Sequence, residues 1–182
     1  KYPFKVKRTV APMPEKGELR KKGRVWDYSV FDNLNTDLMF PGRRTYSVQS
    51  SDPASVLPFL FEDFDPLFHT MVEPGDIIIA GENFGCGSSR EHPAAGLSYA
   101  GIKAILVKSV NRIFFRSSIN QGLLLIVCRE AVEAYKPGDA VEIDTDSGVI
   151  NCGDTNFAFE APTGKLGRII EMKGLVNFIK TL

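Results

Sequence analysis

The sequence predicts an α/β domain with a mixed parallel core sheet and an antiparallel β extension. Three observations carry this reading. Short apolar runs at Ile77-Ile78-Ile79-Ala80, Ile102–Val107 and Leu123–Val127 alternate with helix-like segments, the pattern of parallel strands joined by right-handed crossovers. A Gly-rich polar loop follows the first run and ends at Pro93, which opens a helix. After Lys136 the chain turns to short β segments separated by Gly and Asp turns.

The elements follow in order. Residues 1–22 form a basic arm: Lys1, Lys5, Lys7, Arg8, Lys16, Arg20, Lys21 and Lys22 face only Glu15 and Glu18, and Pro3, Pro12 and Pro14 break any helix. It reads as a solvated strap, or as an RNA- or phosphate-binding tail without the aromatic residues such tails interleave. Residues 23–182 form the domain. Gly23–Phe31 alternates and is rich in β-formers, so a strand is expected, with a polar turn over Asp32–Asp37. Pro41-Gly42-Arg43-Arg44-Thr45 is a second loop, whose arginines are either surface charge or a carboxylate grip. Helical spacing runs over 53–62, weakened by Pro58, and resumes at Phe64, Leu67, Phe68 and Met71. Glu73-Pro74-Gly75-Asp76 and Lys136-Pro137-Gly138-Asp139 are like turns, each before a strand, at 77–80 and 140–145. Helices are expected over 93–100, 111–119 and 167–181, and a further β segment over 156–160.

Composition narrows the function classes. The 22 basic and 22 acidic side chains cancel, so overall charge points to neither a nucleic-acid nor a membrane partner. No apolar run approaches the ~20 residues that cross a bilayer. Cys86, Cys128 and Cys152 are too few and too dispersed for a disulfide framework or a metal cluster held by this chain alone, and they fit a reducing, cytoplasmic setting. The chain starts at Lys1 without Met, so an organellar matrix reached with a trimmed leader stays open.

Gly81-Glu82-Asn83-Phe84-Gly85-Cys86-Gly87-Ser88-Ser89-Arg90-Glu91-His92-Pro93 concentrates the chemistry. Gly85 and Gly87 open backbone conformations and close approach that other residues deny. Ser88 and Ser89 bring hydroxyls and amides to a helix mouth that favours anions, and Arg90 adds a planar fork for a carboxylate. Glu91 and His92 can orient or relay protons, or cap the helix. The dinucleotide, P-loop and nucleophile-elbow spacings are all absent. A Ser–His–Asp hydrolase has only His69 and His92 to draw on, and His92 lies too near Ser88 in sequence. The residues alone leave an anion-binding enzyme loop and a plain structural turn in contention.

The segment Gly81–His92 closely resembles the hallmark of the aconitase-type hydro-lyases, in the form carried by the separate small subunits of the 3-isopropylmalate dehydratase and homoaconitase group. Asn33-Leu34-Asn35-Thr36-Asp37 with Pro41-Gly42-Arg43, then Ala104-Ile105-Leu106 with Arg112-Ile113-Phe114 and Asn120-Gln121-Gly122-Leu123, and finally Gly174-Leu175-Val176, resemble the rest of that family's pattern in order. The resemblance implies a three-layer swivelling β/β/α domain that is active only with a large subunit. That partner would carry the [4Fe-4S] cluster, in a heterodimer or heterotetramer. The implied reaction is reversible dehydration and hydration of a hydroxy-di- or tricarboxylate: 3-isopropylmalate first, with homoaconitate or 2,3-dimethylmalate as alternatives. Ser88 is implied as the base, with Asp37 in the acid–base network. Arg43, Arg44, Ser89 and Arg90 would hold carboxylates, while Gly85, Gly87, Glu91 and His92 support the loop. Asn35 stands where the family often has Asp, Pro93 is unusual after His92, and Arg44-Thr45-Tyr46 replaces the usual Tyr-Leu. Arg44 reads as selectivity for a more polar substrate, or as a charge facing solvent. A non-catalytic carboxylate-binding regulatory domain is the reading from another class.

Overall fold

Four short segments, three of them wholly apolar, line up side by side in one direction. β1 (Val25–Tyr28), β2 (Ile77–Ala80), β3 (Ala104–Val107) and β4 (Leu125–Val127) form a sheet in the order β1-β2-β3-β4, every pair parallel. Tyr28, Ala80 and Val107 stand abreast at its C-terminal edge. The structure is a computed structural model and describes residues 24–182; the arm over 1–22 lies outside the described residues.

Parallel strands buried on both faces read as unbroken apolar runs, and all four residues of β2 and of β3 are buried. Ile78, Ala80, Ile105 and Val107 face the helices: α1 (Thr36–Met39), α2 (Pro53–Val56), α3 (Phe68–Met71), α4 (His92–Tyr99) and α5 (Arg112–Asn120). A Cβ on Gly96 would meet Val56 Cγ1 at 2.8 Å, so a glycine here lets α4 close on α2. Ile77, Ile79, Ala104 and Leu106 face the other way, onto α6 (Arg129–Ala134) and an antiparallel sheet of β5 (Val141–Asp144), β6 (Val149–Cys152) and β7 (Thr155–Ala158). Val141 and Ile143 of β5 are buried while Glu142 and Asp144 are exposed, the alternation of a sheet with one wet face. The layers are therefore antiparallel sheet, parallel sheet and helices, the expected β/β/α sandwich. The parallel and antiparallel pairings fall into two separate sheets.

The two like turns close alike. Asp76 Oδ2 accepts from the Glu73 amide and Asp139 Oδ2 from the Lys136 amide, both at 3.0 Å, with Gly75 and Gly138 at φ 100° and 97°. Buried Asp76 also accepts from Trp26 Nε1 at 2.9 Å and from Arg24 at 3.2 Å, tying β1 to the entry of β2.

Several elements differ from expectation. The first strand is shorter than 23–31. The helix expected over 53–62 breaks into α2 and one 3-10 turn at Leu57–Phe59, since Pro58 has no amide to continue it. Helical geometry within 64–71 is confined to α3. The terminal helix is two: α7 (Gly164–Glu171) and α8 (Leu175–Ile179), divided where Lys173 and Gly174 take φ 56° and 120°. That corner sits on the end of α5, where a Cβ on Gly122 would meet the Gly174 nitrogen at 2.4 Å. α6 has two buried apolar positions, Ala131 and Val132, too few to signal a helix by periodicity. β6 lies between the turns at Asp146-Ser147-Gly148 and Gly153-Asp154, a stretch for which no strand was expected.

Candidate active site

Loops leaving the C-terminal ends of β1, β2 and β3 converge, as open α/β sheets favour for ligand sites. The loop over 81–91 is held from both sides by main chain. Toward β1, the Asn33 amide donates to Glu82 O (2.8 Å), the Gly85 amide to Leu34 O (2.9 Å) and the Thr36 amide to Cys86 O (2.8 Å). Toward β3, the Phe84 amide donates to Ser109 O (3.0 Å) and the Asn111 amide to Phe84 O (2.9 Å). Phe84 is fully buried and packs edge-on against Phe114, ring centres 5.3 Å apart. Gly85 has φ 72° and would press any Cβ into the Phe114 side chain, so both backbone and packing demand glycine there. Gly87, at φ 105°, passes close to Thr36 Oγ1.

Beyond this anchored half, the loop is presented to solvent. Ser88 and Ser89 are exposed, and the Ser88 hydroxyl makes no hydrogen bond among the described residues. Its carbonyl accepts from Thr36 Oγ1 at 3.2 Å and from the Arg90 amide at 2.9 Å. The amides of Gly87, Ser88 and Ser89 make no backbone hydrogen bond among the described residues. Three successive open amides are donors an anion can use. Arg90 donates to Asp37 Oδ1 at 2.6 Å, while its own Nε is buried without a partner. A buried donor left open marks a place where an acceptor can arrive. Asp37 lies in α1, whose N-cap Asn35 accepts from the Leu38 amide at 2.9 Å, a role that asparagine and aspartate fill alike. Ser88, Arg90, Asp37, Gly85 and Gly87 are thus brought together, with Thr36 as the joint that sequence reasoning passed over.

The Arg43-Arg44 loop abuts this group: a Cβ on Gly42 would stand 3.0 Å from both Arg90 NH1 and Asp37 Oδ1. The two guanidinium groups engage carboxylates of their own chain. Arg43 forks onto Asp63, one arm at 2.9 Å, and approaches Glu62 at 3.2 Å. Arg44 forks onto Glu62 at 3.1 and 2.6 Å and lies over the Phe59 ring, 4.4 Å from its centre. Hydrogen bonding from Arg44 lowers the Glu62 pKa, and that from Arg43 lowers the Asp63 pKa; the same bonds hold both guanidinium groups still further toward the charged form. Glu62 and Asp63 were missed in the sequence because they lie 18 to 20 residues away in an unremarkable acidic stretch.

Glu91 sits at the N-cap position of α4 and is exposed, its side chain making no capping bond. The helix begins at His92, with Pro93 in its second position, one residue earlier than the proline alone indicated. His92 stacks on Phe40 at 4.7 Å and its Nε2 lies 2.9 Å from the Val48 carbonyl. A carbonyl only accepts, so Nε2 carries the proton and His92 ties the Arg43-Arg44 loop to the start of α4. Among the described residues no group of three or more His, Cys, Asp or Glu side chains could hold a metal ion. Cys128 and Cys152 are buried and free, and burial pushes the Cys152 thiol up. These residues do not fit a cluster. No helix among the described residues is long and apolar enough to cross a membrane.

Comparison with known proteins gives the family and the fold. The family described as Aconitase C-terminal domain matches residues 37–131. The 3-isopropylmalate dehydratase small subunit of Nautilia profundicola is 42% identical over 162 residues, covering 88% of this chain and 94% of the relative. The 2,3-dimethylmalate dehydratase small subunit of Eubacterium barkeri is 40% identical over 163 residues, covering 88% and 97%. A crystal structure of 3-isopropylmalate dehydratase from Methanocaldococcus jannaschii superposes with a TM-score of 0.77 at 38% identity, over 88% of this chain and 93% of that one.

Proposed function

The chain belongs to the aconitase C-terminal-domain family, among the small subunits of 3-isopropylmalate dehydratase-type hydro-lyases, and from that premise we propose how its residues serve the reaction. The chain works with a large subunit on a branched 2-hydroxydicarboxylate, 3-isopropylmalate. In the net reaction a carbon-bound proton and the hydroxyl of the neighbouring carbon are lost as the elements of one water and can be added back. Ser88 takes the proton. A serine hydroxyl is a poor base unless its alkoxide is stabilised, and the free amides of the loop and the Arg90 cation supply positive potential beside it. The same donors meet the charge that grows on the substrate's carboxylate once the proton is lost. Ser89 and the open Nε of Arg90 hold that carboxylate, Asp37 keeps the Arg90 fork aimed, and Arg43 and Arg44 take the carboxylate at the other end. The large subunit carries the [4Fe-4S] cluster; every role given to this chain concerns protons and carboxylates.

One observation carries the reading: among the described residues exposed Ser88 makes no side-chain hydrogen bond, the Gly87, Ser88 and Ser89 amides make no backbone hydrogen bond, and Arg90 of the same loop keeps a buried, unpartnered donor. Reconstitution of Ser88→Ala with the large subunit under anaerobic conditions tests it. Turnover falls by about 10²–10⁴-fold, the usual worth of a general base, with subunit association intact. Near-normal turnover would assign the base elsewhere. Identity of 40% to a 2,3-dimethylmalate dehydratase small subunit favours that acid as a second substrate, and the same assay run on both acids separates them. Carboxylate binding by the chain without any large-subunit association would favour a regulatory domain instead.

A further inference from the structure

The Arg43-Arg44 loop is already occupied. Each guanidinium meets a carboxylate through two parallel hydrogen bonds, Arg43 with Asp63 and Arg44 with Glu62. This is the geometry by which an arginine grips a free carboxylate. Two cations and two anions cancel, so the loop shows little net charge to an incoming dianion. The acidic pair is placed there by built structure. Phe61, just before it, takes φ 55°, a left-handed conformation rare for a non-glycine residue. It is held by full burial of its side chain, by its amide donating to Met39 O at 2.8 Å, and by the Asp65 amide donating to Phe61 O at 2.7 Å. A kinked, core-anchored backbone thus aims Glu62 and Asp63 at the arginines. All four side chains remain in contact with water, with relative exposures of 54% and 35% for the arginines and 27% and 42% for the acids. Exposed pairs of this kind are weak and open to competition.

We propose that Glu62 and Asp63 are an internal surrogate for the substrate's carboxylate, holding Arg43 and Arg44 in a neutral resting arrangement that the substrate must displace. This rests on the reading that Arg43 and Arg44 grip substrate, and goes beyond it by giving the acidic pair a role in setting affinity and selectivity. A monocarboxylate or an uncharged analogue competes poorly for two forks; a dicarboxylate whose second carboxylate reaches them takes the place of Asp63 or Glu62. The latch differs from a scaffold in sign: removing a competitor tightens substrate binding, whereas removing a support loosens it.

The experiment uses the complex of both subunits and 3-isopropylmalate. Asp63→Asn keeps the shape of the side chain and removes its charge. The Michaelis constant falls by about two- to five-fold, the range set by the worth of an exposed ion pair, with kcat little changed. An unchanged or raised Michaelis constant overturns the latch. Glu62→Gln asks the same of Arg44 and carries the test alone if Asp63→Asn fails to fold. Arg43→Gln separates the two ideas. If it leaves the Michaelis constant unaltered, Arg43 does not grip substrate, and the reading falls with the latch. If it raises the constant while Asp63→Asn does not lower it, the substrate grip stands and the latch alone is wrong.

Discussion

Asp63 and Glu62 illustrate what single side chains decide here. Hydrogen bonds from Arg43 and Arg44 pull both carboxyls below their ordinary values of 3.8 and 4.5. A carboxyl whose folded pKa is lowered contributes stability above its ordinary pKa and loses it as pH falls through the lowered value. The ion pairs therefore hold through neutral pH and open only on the acid side. Side-chain carbon shifts followed by NMR during acid titration check this: both groups titrate below 4.5 and 3.8, and Arg43→Gln returns Asp63 upward. Equal titration with and without Arg43 would count against the pairing. At this scale the sequence was informative about chemistry and silent about partners. Ser88 and Arg90 stood out as candidates by residue type, and Asp37 by the family resemblance. Thr36, Glu62 and Asp63 did not, because their importance comes from tertiary neighbours that no local pattern encodes.

At the scale of elements, the Gly-rich loop rests on α5. α5 is amphipathic, with Phe114 buried under Gly85, and its first turn is closed by Asn111, whose side chain accepts from the Ile113 amide at 3.0 Å. Asn111→Ala removes that cap and lowers stability by about 1 kcal/mol, read from the denaturant midpoint. The main-chain bond from Asn111 to Phe84 survives, so turnover of the reconstituted enzyme stays near that of the parent. A large loss of turnover would mean that the cap also shapes the loop. The strands β2, β3 and β4 and the helices α4 and α5 were legible in the sequence, since buried runs and N-cap signals mark them locally. Where local signals were diluted, the reading strayed. Pro58 broke an apparent helix, Gly174 split another, and α6 and β6 had too little apolar periodicity to stand out.

Across the whole molecule, the candidate site lies at one end of a sheet while much of the buried apolar surface lies on its faces. Ile150 of β6 is fully buried between the two sheets. Ile150→Ala costs about 2–5 kcal/mol in unfolding free energy, as large-to-small core changes do. Well below the melting temperature its Michaelis constant stays that of the parent, because the loops leave the parallel strands at a separate edge. A shifted Michaelis constant would instead reveal coupling through the sheet. The layered architecture was legible because residues 77–127 alternate strand and helix and the later chain does not. The assignment of antiparallel strands to one face was not, since β2, β3 and β4 are apolar on both sides.

That two-sided greasiness leaves β2 and β3 with little to tell one threading from the next, because a slip by a single residue merely trades one oily face for another. What removes the ambiguity is the Gly-rich loop. Phe84 continues the ladder past the strands, bridging in parallel to Val110, and the loop's amides and carbonyls fasten it to residues 33–36 on the other side. It works as an alignment key. In a mis-threaded sheet the loop would lose these fastenings, so the register of β2 against β3 and the shape of the loop are set by the same bonds.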